Sequence, residues 1–178
     1  VCLKRKVRNY VELVQPKRNS DQDNGFGILV KQGAVLETEI SKSIQAASAP
    51  LPKDAKDDQK AEAAMKRLCR EFYDVRAFGG VLAVGKDVLR GSAYGQVRGP
   101  VQFTFGQSFH SITPQEQTVT RCAVTKVEDK EKERTMGHKF TVGYALYAAK
   151  CYVSPPFAER TGFDQADLDV FFEALSEM

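Results

Sequence analysis

The chain has 178 residues and 42% hydrophobic content, enough to bury one core with an appendage. Its net charge of +3 is uneven, because residues 1–18 hold six lysines and arginines against Glu12 alone, the footprint of a phosphate-binding surface. Cys2, Cys69, Cys122 and Cys151 have neither CxxC spacing nor a histidine at ligand spacing, and no apolar run is long enough to span a membrane; this argues against zinc, a disulfide framework and a membrane protein, and for reduced cysteines in the cytoplasm.

Residues 2–15 read as an amphipathic helix, with Leu3, Val7, Tyr10, Val11 and Val14 as its apolar stripe. Lys4, Arg5 and Arg8 flank that stripe, so the helix sits on a core and offers a basic rim. A polar loop runs from Pro16 to Gly27, and Phe26 to Leu36 has β character interrupted by Gly33. Residues 38–48 form a weak helix, ended by Ala49-Pro50-Leu51-Pro52. A second clear helix covers 55–74, with Ala61, Met65, Leu68 and Phe72 on its apolar face and Gly79-Gly80 as the stop.

Val81 to Val84 is a short strand. From Gly95 to Gly106 the residues alternate: Val97, Val101, Phe103 and Phe105 on one face, Gln96, Arg98, Gln102 and Thr104 on the other. The polar face, with glycines that admit close approach, suits a long, hydrogen-bonding polyanion. Thr118–Val127 alternates again, the charge run Glu128–Arg134 is too polar to pack, and Phe140–Val153 returns as β structure; a hairpin over 118–153 is expected, with Met136 at its foot. After Pro155-Pro156, Asp164 caps a last helix whose stripe is Leu168, Phe171, Phe172 and Leu175. The order of elements predicts an α+β fold, an antiparallel sheet with helices on one face.

Catalytic patterns are scarce. No phosphate loop, GxSxG, HExxH or dinucleotide fingerprint occurs, so neither an enzyme nor a cofactor or metal site is expected. The carboxylate pairs Asp57-Asp58 and Asp167/Asp169 read as solvated. His110 has no acidic neighbour at a suggestive spacing, and His138 lies among Arg134, Thr135 and Lys139 as a hydrogen-bonding side chain. Those donors surround Met136, an apolar side chain of the type that can wedge between bases. Arg121 lies on the partner strand.

Four blocks carry a resemblance: Val1-Cys2-Leu3-Lys4-Arg5-Lys6-Val7-Arg8-Asn9-Tyr10, Phe72-Tyr73-Asp74-Val75-Arg76-Ala77-Phe78-Gly79, Gly95-Gln96-Val97-Arg98-Gly99-Pro100-Val101-Gln102 and Arg134-Thr135-Met136-Gly137-His138-Lys139. In this order the chain resembles the CRISPR-associated backbone subunit of type I Cascade complexes, nearest the type I-C form. The resemblance implies a modified RNA-recognition (ferredoxin-like) fold in one domain, 1–178, with a protruding thumb hairpin. It also implies a non-catalytic protein whose copies assemble head to tail on CRISPR RNA, beside other Cascade subunits, and present the guide to a target DNA strand. Carried over by motif, Lys4, Arg5 and Arg8 face the RNA backbone, Gln96 and Arg98 line its path, and Met136 and His138 belong to the thumb region; Arg121, Arg134 and Lys139 complete the expected RNA-binding set. The family's first strand and glycine-rich loop are not found ahead of Val1, nor is its C-terminal segment after Met178, so the chain is expected to be part of a longer one. Two rivals are an endoribonuclease processing CRISPR precursor RNA, which needs a general base and acid at the scissile phosphate, and a monomeric RNA-binding module.

Overall fold

A computed structural model of the chain describes residues 2–14, 25–50, 52, 55–83, 88–120 and 136–177. The class is α+β, as expected. The chain divides into two compact units, residues 1–102 with 151–178, and residues 103–150.

Unit 1 is built on α1 (Cys2–Val14), α2 (Leu36–Ser48) and α3 (Asp57–Glu71). Ile40, Ile44 and Ala47 on α2 meet Ala61, Ala64, Met65 and Leu68 on α3, the spacing that lines one helical face. Leu29, Val75, Leu82, Leu89 and Val97 complete this core. The β character expected over 26–36 reduces to one parallel bridge, Gly27 to Phe72. That bridge also breaks the helix expected over 55–74. Gly27 N donates to Glu71 O (3.1 Å) and Tyr73 N to Gly27 O (2.8 Å), and Phe72 turns extended at φ −115°, ψ 113°. A backbone crossing at this point outcompetes the helical ladder for the N–H of Tyr73.

The chain resumes as α4 (Tyr73–Phe78), six residues that are all buried. A helix buried on every side cannot leave a charge unpaired, and α4 carries two. Asp74 accepts from Leu29 N (2.9 Å), Val30 N (3.0 Å) and Arg8 Nε (3.0 Å). Arg76 donates through Nε and Nη2 to both oxygens of Asp167 (2.7 and 2.5 Å) and through Nη1 to Cys69 O (2.8 Å). Removing one partner alone from a pair buried this deeply costs about 3–5 kcal/mol. Asp167, expected in solvent, is therefore 3% exposed.

β1 (Gly79–Val81) pairs antiparallel with β2 (Gln96–Arg98), Gly79 opposite Arg98. The single alternating strand expected over 95–106 is two: β2, then β3 (Val101–Phe103), which pairs with β8 (Cys151–Val153). Gly99-Pro100 separates them, since proline offers no N–H to continue a ladder. Val97 and Val101 are buried, but Phe105 is 97% exposed. α5 (Pro155–Thr161) starts on the two prolines, which suit the first helical turn. α6 (Gln165–Ser176) begins where Asp164 accepts from Asp167 N, the predicted cap. Its buried face is Asp167, Phe171 and Ala174, and Phe172 is exposed. Of the α1 stripe, only Val7 and Val11 are fully buried.

Unit 2 holds β4 (Gln107–Ser108) paired with β7 (Tyr147–Ala148), and β5 (Gln115–Thr120) paired antiparallel with β6 (Met136–Thr141). At its base Thr104 N donates to Lys150 O and Lys150 N to Thr104 Oγ1, both at 2.8 Å. The described strands of the two units thus form four two-stranded pairs.

Candidate nucleic-acid interface

α1 carries the basic rim because Val7 and Val11 commit its other face to the core. Lys4 and Arg8 both lie over the Phe78 ring, with Nζ 5.1 Å and Cζ 5.7 Å from its centroid. Burial, and secondarily the charge of Arg8, lowers the Lys4 pKa; Cys151 opposes that shift. A partly desolvated ammonium held down in this way gains from an incoming anion. The residue after Phe78 is Gly79, whose cross-strand partner is Arg98. Gln96 and Arg98 project outward on either side of buried Val97, as the alternation predicted.

Beside α1 lies a groove of about 430 Å³, lined by Arg5, Arg8, Asn9, Glu12, Lys31 and Gln32 over Ile28 and Val30. Lys31, which the sequence did not single out, stands 3.7 Å from Glu12 in an exposed pair of little energetic weight. Arg8 differs from its neighbours: its Nε is held by Asp74, and its side chain is 19% exposed. A larger cavity of about 550 Å³ brings Lys66, Arg70, Arg76 and Arg160 together with Glu159, Asp164 and Asp167, and Arg76 there is already bound to both oxygens of Asp167.

In unit 2, register sets Thr120 opposite Met136 and Gln115 opposite Thr141. Met136 therefore stands at the ladder end that leads into residues 121–135, not at the foot. It is 66% exposed. Alternation puts Met136, His138 and Phe140 on one face of the hairpin and Lys139 on the other. His138 Nδ1 lies 2.7 Å from Glu116 Oε1, a partner invisible in sequence because it sits on the opposite strand. Arg121 and Arg134, with the charge run 128–133, lie outside the described residues.

Among the described residues no three of His, Cys, Asp and Glu cluster as metal ligands, and no helix is long and apolar enough to cross a membrane. Unit 1 offers cations and amides that suit a phosphate backbone, and unit 2 an exposed hairpin face on which Met136 and Phe140 flank the His138–Glu116 pair. The family model described as CRISPR-associated protein Cas7 matches residues 1–178. No curated protein matches the chain.

Proposed function

Because the chain belongs to the CRISPR-associated protein Cas7 family, whose members are backbone subunits of interference complexes, we propose that it binds CRISPR RNA through the α1 rim and its groove. The observation that carries this reading is the co-location of Lys4, Arg5, Arg8 and Lys31 on one side of unit 1, against Glu12 alone in the groove. Gln96 and Arg98 extend the path, and the β5–β6 hairpin serves as the thumb, with Met136 and His138 at the guide strand and Arg121, Arg134 and Lys139 as further cations. Copies assemble head to tail in a type I-C Cascade, in the cytoplasm, with other subunits and a target DNA strand as partners. A modified RNA-recognition fold and a non-catalytic role belong to the same reading.

Purified complex treated with nuclease should release protected RNA of uniform length, and a mixture without a defined size would sink the assembly. The endoribonuclease alternative has one observation in its favour, the His138–Glu116 pair. Both side chains are more than half exposed, a poor setting for a tuned acid and base. Labelled precursor RNA decides this: cutting by the wild-type chain that His138→Ala abolishes would favour the nuclease.

A further inference from the structure

Both walls of the groove beside α1 are tied to one buried carboxylate. Asp74 is 1% exposed and stands 66 residues along the chain from Arg8. Its Oδ1 takes the N–H of Leu29, and its Oδ2 takes both the N–H of Val30 and Nε of Arg8. The first two bonds fix the backbone immediately before Lys31 and Gln32. The third fixes the plane of the Arg8 guanidinium, which Phe78 also supports from one face. An arginine has five N–H donors in a rigid fork; with Nε committed to Asp74, the end of the fork is presented in one orientation.

We propose that Asp74 is a positioning residue for phosphate: it sets Arg8 and the Lys31 wall at a fixed separation, so that one RNA phosphate is held between them by oriented hydrogen bonds and not by charge alone. This rests on the RNA-binding reading above. Two consequences run against simple electrostatics. Neutralising a buried acid beneath a cationic groove should tighten RNA on Coulombic grounds, whereas loss of positioning weakens it. A lysine at position 8 keeps the charge but cannot bond Asp74 and present a planar fork together.

The test measures affinity against salt for two unrelated single-stranded RNAs of equal length, with Arg8→Ala, Arg8→Lys, Asp74→Asn, Lys4→Ala and Arg5→Ala. Loss of one phosphate contact should flatten the log–log salt slope by about 0.7 and weaken binding about fivefold at 0.1 M salt. We expect that loss on both RNAs from Arg8→Ala; Arg8→Lys and Asp74→Asn, which keep the cation, should weaken binding on both RNAs about as much with a nearly unchanged salt slope. Arg8→Lys behaving like wild type overturns the positioning role, whether or not Asp74→Asn folds. A folded Asp74→Asn that binds as well as wild type, or better, overturns it too. If Arg8→Ala is silent while Lys4→Ala and Arg5→Ala weaken binding, the proposal fails and the RNA-binding reading survives. If all three alanine variants are silent, that reading fails with it.

Discussion

The Cys69 thiol is 1% exposed on α3, its Sγ 3.8 Å from the sulfur of Met65. Burial pushes its pKa from an ordinary 9.0 to about 11, and the charge of Arg76 only partly opposes this. A pKa raised on folding favours the protonated form in the native state. The stability it contributes is whole below pH 9 and is lost as pH climbs to about 11. Burial raises Tyr73 in the same direction, through a phenol that donates to Asp167 O. Urea midpoints should therefore fall from pH 8.5 to pH 11, and less steeply in Cys69→Ala; an unchanged pH dependence in that variant would remove Cys69 from the account. Residues of this kind were the hardest to read from sequence. Asp167 and Asp169 look alike in a string of letters, and only the arrival of Arg76 from 91 positions away separates a buried acid from a solvated one. Asp164 was legible because a helix cap is a local event, settled within three residues.

At the next scale, β1 and β2 meet through glycine. Gly79 closes α4 at φ 67°, and a Cβ there would lie 2.2 Å from Val97 O and 2.4 Å from Gly99 N. Gly91 has a similar φ of 78° with nothing within 4 Å. Gly91→Ala should cost only the left-handed backbone penalty, about 1–2 kcal/mol. Gly79→Ala adds a backbone collision and should cost clearly more, read from denaturant midpoints; equal losses would mean that the strands separate without strain. Amphipathic helices such as α1 and α6 were visible from their periodicity, since one buried face imprints itself on the sequence. The break at Phe72 was not, because Gly27, which makes it, is remote in sequence. Alternation over 95–106 overreached for a similar reason: it gives side-chain direction, and pairing partners decide where a strand ends.

Across the whole molecule, burial is unequal. None of the described residues from 103 to 150 is buried, and Phe105, Phe109, Phe140 and Tyr144 are all at least 66% exposed there. A lone two-stranded hairpin is at best marginally stable in water, so its amides belong to the low-stability end of the chain. In the free protein, hydrogen exchange over 115–120 and 136–141 should run orders of magnitude ahead of α3, and assembly on RNA should slow it. Protection equal to that of α3 without RNA would contradict this. The sequence suggested paired strands here but misplaced the returning one: it expected 140–153, whereas 136–141 pairs with 115–120 and the later short strands pair with β3 and β4. One last consequence follows from the paired bonds between Thr104 and Lys150. They act as a clasp: the two ends of the segment between them are held together at one place, so a change of length within that segment leaves the spacing of its ends unaltered.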